Sequence, residues 1–205
     1  STTIGEYVIP SILGEYQVKF PDVAVRLHVA NTEGVLHMVE NNEIDIGIVE
    51  GPVNNKNLVS RVCWDDELVI VTPPGHELAS AGSVAVDQML EYPFISREEG
   101  SGTREVISEH LNAAGREIAD LNLTMEFGSP ESIKSAVTTG LGISILSIAT
   151  LDKELELGLL SKVSLDPPLK RPFSIVFQRQ KFRLRAMDEF LEFTEAHCGE
   201  KQTHP

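Results

Sequence analysis

The feature that most constrains the fold is an alternation of short apolar runs with stretches of helical periodicity along the whole chain. Runs such as 44–49, 68–71 and 142–146 are bounded by turn-forming residues, and between them apolar residues recur at three- and four-residue spacing. This order is typical of βαβ units with mostly parallel strands. The sequence therefore predicts an α/β fold.

The order of elements is similar in the two halves of the chain, and this predicts two similar lobes. The expected elements are a helix to Phe20, a strand at 23–29, a helix from Val35 and a strand at 44–49, then strands at 93–96, 121–127 and 142–146 with helices between them. The turn Pro73-Pro74-Gly75 marks the boundary between the lobes. An amphipathic helix around Met187 and Leu191 closes the chain.

The charge balance limits the possible partners. The chain of 205 residues has 17 basic and 31 acidic residues, which give a formal net charge of −14. This charge repels a nucleic-acid backbone, and no basic stretch offsets it, so the segment is not expected to bind DNA by itself. No apolar run approaches the roughly 20 residues that a membrane span needs.

The cysteines indicate neither a metal site nor a disulfide framework. Cys63 and Cys198 are far apart in sequence, without a CxxC pattern or a histidine at ligand spacing. Both are expected to be reduced thiols, and no cofactor is indicated. Because the sequence begins at Ser1 without a methionine or a signal-like segment, it is interpreted as a processed protein or as a fragment.

The most informative segment for function is Gly100-Ser101-Gly102-Thr103-Arg104, which lies between a strand and a helix. Its glycines permit positive φ and close approach of the backbone, and its serine and threonine supply hydroxyl groups. The N–H groups of a helix start suit an anion, and the arginine can hold a carboxylate, sulfite, sulfate or phosphate through two hydrogen bonds. The loop is therefore predicted to bind a small anion.

An alternative explains this loop without a ligand. In it, the segment is a glycine-rich turn in which Thr103 caps the following helix and Arg104 pairs with surface carboxylates. A loop for nucleotide phosphates is disfavoured, because GxxxxGK[ST] is absent and Gly100 and Gly102 lack the third glycine of GxGxxG.

Three other strand-to-helix breaks carry small polar residues. They are Ser1-Thr2-Thr3, Asn31-Thr32 and Gly128-Ser129-Pro130. In parallel α/β sheets such breaks fall at the carboxyl ends of strands, where ligands bind. Each break alone is equally well explained as a helix cap. Their recurrence in both lobes favours a ligand site.

The sequence offers little for catalysis. None of the six histidines belongs to an HExxH pattern, and no serine stands in GxSxG. The histidines are interpreted as surface or hydrogen-bonded residues. No catalytic residue is predicted, and the chain is not expected to be an enzyme.

Several segments, taken in order, resemble a known family. They are TTIGEYVIP at 2–10, Phe20-Pro21, DIGIV at 45–49, LVIVTP at 68–73 with HELA at 76–79, GSGTR at 100–104 and TGLGISIL at 139–146. Their order and spacing, over nearly the whole chain, resemble the effector-binding domain of LysR-type transcriptional regulators. That family has the type II periplasmic-binding-protein fold.

The resemblance implies where the lobes and the effector lie. Lobe I would comprise 1–72 with 178–205, and lobe II 73–177, joined by strands that cross near 71–74 and 173–178. The effector would bind between the lobes and stabilise their closed form. Carried over position by position, the resemblance places around the effector Thr2, Thr3, Asn31, Thr32, Gly100, Ser101, Gly102, Thr103, Arg104 and Ser129.

The resemblance also implies the partners. The GSGTR form is similar to branches of the family that respond to small anions of sulfur or carbon assimilation. DNA binding is expected of the parent protein only, through an N-terminal winged helix-turn-helix that this sequence lacks. The family implies a cytoplasmic homodimer, and a homotetramer for the full-length protein.

Two other functions share the expected fold. One is a periplasmic solute-binding protein for an oxyanion, and the other is an enzyme built on the same fold. The residues before Ser1 would separate the first from a regulator, because a signal peptide indicates transport and a helix-turn-helix indicates regulation.

Overall fold

The α/β class is confirmed by the computed structural model, which describes residues 1–179 and 185–201, with the backbone alone for 198–201. The helices are α1 Thr2–Tyr7, α2 Ile9–Lys19, α3 Thr32–Glu40, α4 Val86–Met89, α5 Gly102–Ala113, α6 Pro130–Thr138, α7 Asp152–Glu156 and α8 Arg185–Lys201. The strands are β1 Gly47–Glu50, β2 Leu58–Thr72, β3 Ser83–Ala85, β4 Pro93–Arg97, β5 Asn122–Phe127, β6 Ser144–Ser147, β7 Ser161–Asp166 and β8 Leu169–Gln178.

The chain divides into two compact units, and both boundaries fall inside strands. Unit 1 comprises Ser1–Asp65 and the chain from Pro172 onward, and unit 2 comprises Asp66–Arg171. Strand β2 therefore contains one boundary and β8 the other. The first boundary precedes the turn Pro73-Pro74-Gly75 because residues 68–72 of β2 pair with β6 and β7 inside unit 2.

Unit 1 is built on helices α1 to α3 and on the antiparallel pair of β1 and β8. Gly47 lies opposite Val176, and Glu50 lies opposite Phe173. A Cβ atom at Gly47 would lie 2.8 Å from side-chain carbons of Val35 and of Val176. Glycine is required there because α3 packs on β1 too closely to leave room for a side chain.

The segment 23–29 is not part of a sheet, so the expected strand is wrong. Its alternate residues Val25, Leu27 and Val29 are 39%, 46% and 44% exposed. Residues 23–28 and 43–48 line the same cavity, of about 580 Å³, in unit 1. The alternation of apolar and polar residues gives an extended amphipathic segment, but it does not ensure that a neighbouring strand is in hydrogen-bonding reach.

Unit 2 contains two successive βαβ units in the order β4, α5, β5, α6, β6. Strands β4 and β5 are parallel, and Phe94 of β4 forms a parallel bridge with Ile143, next to β6. The carboxyl ends of these three strands, at Arg97, Phe127 and Ser147, therefore fall at the same edge. This is the edge where ligands bind in parallel α/β sheets.

The apolar residues that predicted the helices of unit 2 are buried in its core. They include Val106, Ile107 and Leu111 of α5 and Ile133 and Val137 of α6. Burying a side chain of this size contributes roughly 1.5–3 kcal/mol. These contacts hold both helices against the sheet and so place their first turns at the strand ends.

The expectation of reduced thiols is wrong at Cys63, which is disulfide-bonded. Cys63 is buried in β2, and its sulfur lies 4.0 Å from the carbonyl oxygen of Thr194 in α8. Strand β2 therefore packs on a helix that is distant in sequence, which the spacing of the cysteines could not reveal. The side chain of Cys198, on α8, lies outside the described part of the chain.

Candidate functional site

The loop at 97–104 of unit 2 leads from the end of β4 into α5. Gly100 has a φ of +80°, a conformation that glycine adopts without strain. The N–H of Ser101 donates to the carbonyl oxygen of Glu98 at 3.2 Å, which closes the turn. The loop leads directly into the first turn of α5, which is a helix of 12 residues.

Ser101 is the N-cap residue of α5, but its side chain does not cap the helix. The residue is 3% exposed, and its Oγ is buried with no hydrogen-bond partner in the described part of the chain. A buried hydroxyl left in this state costs roughly 1–3 kcal/mol, and native structures rarely contain one without a reason. The observation points to an occupant that is not a protein group.

Thr103 lies in the first turn of α5 and accepts a hydrogen bond from Arg171. The distance from Arg171 Nη1 to Thr103 Oγ1 is 2.7 Å. Because this oxygen is the acceptor, the proton of the hydroxyl is directed away from the guanidinium. The N-cap residue of α5 is Ser101, so Thr103 does not have the capping role that the alternative for this loop gave it.

Arg104 has protein partners in the structure. Its Nη1 donates to the carbonyl oxygen of Arg97 at 2.9 Å and pairs with the carboxylate of Glu126 at the end of β5. This is the pairing with a carboxylate that the alternative for the loop expected. Both contacts use Nη1, so an anion that bound through this nitrogen would have to displace Glu126.

The arginine that contacts Thr103 belongs to a buried ion pair. Arg171 Nε donates to Asp66 Oδ2 at 2.7 Å, and the two side chains are 0% and 2% exposed. Ser147 Oγ donates to Asp66 Oδ1, also at 2.7 Å. The sequence analysis missed all three residues. A usable signal was present, because Asp66 and Arg171 each precede a strongly apolar run, and a charge in a buried strand needs a partner.

Ser129 and Asn31 act as helix caps. Ser129 Oγ accepts from the N–H of Ser132 at 3.2 Å, at the start of α6. Asn31 Oδ1 accepts from the N–H of Gly34 at 3.0 Å, at the start of α3. These contacts agree with the alternative for the two breaks, so a ligand at either position remains a prediction.

Two of the other predicted residues of unit 1 donate to backbone carbonyl oxygens, and the third is buried. Glu50 Oε1 accepts from the N–H of Ile4 at 3.2 Å, and Thr32 Oγ1 donates to the carbonyl oxygen of Glu50 at 3.4 Å. Thr2 Oγ1 donates to the carbonyl oxygen of Ala30 at 3.1 Å, and Thr3 is buried. These are contacts between protein groups, so a ligand contact from Thr2, Thr3 or Thr32 stays a prediction.

The histidine of α5, His110, lies in the last turn of the helix, at the opposite end from the candidate site. Burial lowers the pKa of His110 below its usual value, so its imidazole is neutral at pH 7. At the other end of the helix, the N–H groups of the first turn and the helix dipole, which is equivalent to about half a charge, attract an anion.

The described residues contain neither a candidate membrane span nor a candidate metal site. No helix within 1–179 and 185–201 is both long and apolar enough to cross a bilayer. In the same ranges, no group of three or more His, Cys, Asp or Glu side chains could hold a metal ion.

Comparison with known proteins gives a match over almost the whole chain. Residues 1–199 match the family described as LysR substrate binding domain. An Escherichia coli K12 protein, the uncharacterized HTH-type transcriptional regulator YeiE, is 36% identical over 196 residues, which are 95% of this chain and 66% of that protein. A probable RuBisCO transcriptional regulator of Cyanidium caldarium is 34% identical over 194 residues, 93% of this chain and 61% of that protein.

A solved structure is similar over the same extent. The CcmR regulatory domain of Synechocystis PCC6803, in complex with 2-PG, is 32% identical with a TM-score of 0.88. The match covers 96% of this chain and 93% of the CcmR chain. By contrast, this chain spans less than two thirds of the length of the curated relatives.

Proposed function

We propose, from the premise that this chain belongs to the family of LysR substrate binding domains, that it senses a small anion bound at the start of α5. The α/β fold is of the type II periplasmic-binding-protein class, as in that family. The observation that carries the proposal is the buried Ser101 hydroxyl, which has no partner among the described residues at the N-terminus of a 12-residue helix. A helix N-terminus with an unused buried hydroxyl suits an anion.

The proposed ligand is a sulfite- or sulfate-like oxyanion, a phosphorylated metabolite or a small carboxylate. The CcmR domain, whose structure was solved with 2-PG, supports this class of ligand. Oxygen atoms of such an anion would accept from Ser101 Oγ, from Thr103 Oγ1 and from N–H groups of the first turn. Hydrogen bonds to an ionised acceptor are about twice as strong as neutral ones.

The net charge of −14 opposes the approach of an anion but does not prevent binding. At physiological ionic strength the Debye length is about 8 Å, so distant carboxylates are largely screened. Groups in direct contact with the anion then dominate the binding free energy, and they are donors at the start of α5. These donors, and not the electrostatic field of the whole chain, are proposed to determine the affinity.

The predicted site residues have unequal roles in this proposal. Ser101, Gly102 and Thr103 supply donors, and Gly100 supplies the turn. Arg104 contributes through Nη1 only if the anion displaces Glu126. Contacts from Thr2, Thr3, Asn31, Thr32 and Ser129 stay predictions, and their alanine variants test them one at a time by the affinity measurements below.

The signal proposed for the whole protein is a shift in conformational equilibrium. A ligand shifts such an equilibrium only as far as its affinities for the two states differ. In the full-length homodimer or homotetramer, the shift would reach DNA-binding heads carried by another part of the protein. The relatives are transcriptional regulators, which supports this role, and no reaction is proposed.

Thermal melting against a panel of anions tests the proposal directly. The panel contains sulfite, sulfate, thiosulfate, phosphate, 2-PG, phosphorylated sugars and small carboxylates, with chloride at matched ionic strength as the control. A ligand at 100 times its dissociation constant is expected to stabilise the chain by about 2.7 kcal/mol, or about 5–10 °C for a domain of this size. If no anion raises the melting temperature above the chloride control, the proposal is wrong.

Ser101→Ala is expected to change stability and affinity in different directions. Removing a buried hydroxyl without a partner should leave the free energy of unfolding unchanged or raise it by up to about 1 kcal/mol. Removing a donor to an anion should weaken binding about tenfold, which is about 1.4 kcal/mol. Urea unfolding without ligand and isothermal titration with the tightest anion of the panel measure the two effects.

Ser144→Ala is the matched control for this variant. Ser144 is equally buried, but its Oγ donates to the carbonyl oxygen of Ile95 at 2.6 Å. Its loss should cost about 1 kcal/mol of stability and leave anion affinity unchanged. A Ser101→Ala chain that is destabilised and binds normally would show that the hydroxyl has only a structural role.

A further inference from the structure

We propose that the cavity of unit 1 is a binding site for an uncharged apolar molecule of aromatic-ring size. Its volume is about 580 Å³, which lies within the roughly 300–1,000 Å³ of small-molecule sites. The residues that line the cavity belong to unit 1, whereas the start of α5 belongs to unit 2. The site is therefore separate from the proposed anion site, and the inference does not rest on the proposed function.

Buried apolar side chains from three helices form the inner wall of the cavity. Ile4 of α1, Ile9 of α2 and Met187 of α8 are 0%, 3% and 6% exposed. Ile48 of β1 is also buried and lines the cavity with them. An apolar ligand is favoured at such a wall because contact removes apolar surface of both partners from water.

The same wall offers little that could stabilise a charge. Apart from Ser1, the one polar side chain among its described buried residues is Tyr16, whose hydroxyl donates to the carbonyl oxygen of Ala186 at 3.4 Å. Burying an ion without a partner is strongly unfavourable. The exposed rim has charged side chains of both signs, such as Arg26 and Glu43, so it does not select an ion of one sign. The ligand class therefore differs from that of the anion site.

The segment at 23–28 forms one side of the cavity, and contacts at both of its ends fix its position. The N–H of Val23 donates to the carbonyl oxygen of Phe20 at 3.1 Å, and the carbonyl oxygen of Ala30 accepts from Thr2 Oγ1 at 3.1 Å. Between these contacts, the segment has no backbone hydrogen bond within the described part of the chain. The fixed ends limit how far the segment can move inward, so we expect the cavity to persist without a ligand.

A small molecule suits this cavity better than a segment of another protein chain. Three of the contributing elements, α1, α2 and α8, are helices, and the backbone groups inside a helix are bonded to one another. A docking strand needs free backbone groups along a sheet edge. On β1, the carbonyl oxygen of Ile48 already accepts from the nitrogen of Ser1. The cavity therefore offers contact area and few backbone partners.

Titration with N-phenyl-1-naphthylamine tests the proposal on the 205-residue chain. This uncharged dye fluoresces more strongly in apolar surroundings, and we expect a saturable rise that fits a single site. Toluene and benzoate, which are similar in size but differ in charge, then compete with the bound dye. Toluene should displace the dye at a concentration at least about tenfold lower than benzoate, because the wall cannot stabilise a carboxylate.

Two substitutions that fill the cavity locate the dye. Leu13 of α2 and Ala186 of α8 both line the cavity and are half-buried. Leu13→Trp should weaken dye binding by about tenfold or more and Ala186→Leu by about threefold, since the added atoms occupy volume that the dye needs. Thermal melting without dye identifies a variant that does not fold, and filling a cavity is expected to keep or raise the melting temperature.

Leu36→Trp is the matched control for Leu13→Trp. Leu36 is a half-buried leucine of α3, also in unit 1, but it is not among the residues that line the cavity. Its replacement should leave the affinity for the dye within about twofold of the unmodified chain, as for a site without shared contacts.

Several results would overturn the inference. They are a dye signal that does not saturate, unchanged affinity in both cavity-filling variants, and displacement by benzoate as readily as by toluene. An affinity that falls as the chain concentration rises would show that a second copy of the chain occupies the cavity instead. A loss of dye binding in Ser101→Ala as large as in Leu13→Trp would place the dye at the anion site.

The outcome is independent of the proposed function. None of these results bears on whether an anion of the panel raises the melting temperature. Conversely, a chain that binds no anion but binds the dye, with the expected losses in Leu13→Trp and Ala186→Leu, would contradict the proposed function and support this inference.

Discussion

Replacing Asp66 with alanine is expected to lower the free energy of unfolding by about 3–5 kcal/mol, the largest effect among the substitutions considered. The variant leaves the guanidinium of Arg171 in a site where both side chains of the pair are almost fully buried, at 0% and 2% exposed. Removing one partner of such a pair forfeits the Coulomb attraction and keeps the cost of desolvating the other charge. Ser147 also loses the acceptor of its 2.7 Å hydrogen bond. Urea unfolding, with the slope of the transition checked for constancy, measures the loss.

Two comparisons separate burial from charge pairing as the source of this effect. Glu195→Ala removes the exposed pair of Arg61 and Glu195, whose side chains are 43% and 41% exposed, and should cost less than about 1 kcal/mol. Replacing Asp66 with leucine and Arg171 with methionine together should recover most of the stability, since a buried apolar pair needs no compensating charge. A loss below about 1 kcal/mol for Asp66→Ala would contradict the buried network.

Gly142→Ala is expected to destabilise unit 2 by about 3 kcal/mol or more. A Cβ atom at this position would lie 2.5 Å from the carbonyl oxygen of Pro93. That oxygen cannot move freely, because it accepts from the N–H of Ile143 at 2.8 Å and so holds β4 beside β6. Overpacking against fixed atoms typically costs 1–3 kcal/mol and sometimes more, and the φ of +158° at Gly142 adds backbone strain.

Gly82→Ala is the control for this variant. No atom lies within 4 Å of a Cβ atom at Gly82, so the change should be neutral or should stabilise the chain by up to about 1 kcal/mol by restricting the unfolded state. Both variants are compared by the midpoint of urea unfolding. Equal midpoints for the two would show that a Cβ atom at position 142 does not clash with the carbonyl oxygen of Pro93.

Local patterns in the sequence were sufficient to predict several elements of both units. The apolar runs at 44–49, 68–71 and 142–146 overlap β1, β2 and β6, and the spacing of Val106, Ile107 and Leu111 marked the buried face of α5. These predictions succeed because periods of two and 3.6 residues are properties of a single segment. The ordered motifs of the LysR effector-binding domain were recognisable for the same reason, and the family match over residues 1–199 confirms them.

Local patterns failed where an element needed a neighbour. The segment 23–29 has the alternation of a strand but does not join a sheet, and β2 continues upstream of its apolar run to Leu58. Cys63 is disulfide-bonded, although its sequence context favoured a reduced thiol. Pairing of strands and of sulfur atoms depends on which distant segments come together, and no single segment contains that information.

The roles of the polar side chains at the candidate site were decided only by the tertiary structure. The sequence placed Ser101, Thr103 and Arg104 in one loop, but only packing shows that Arg104 pairs with Glu126 and that Ser101 Oγ has no partner in the described residues. Arg171 reaches Thr103 from 68 residues away. A hydrogen bond requires two atoms within about 3 Å and in the right direction. Such a distance is fixed by how β8, β2 and α5 pack together, and not by the spacing of residues along the chain.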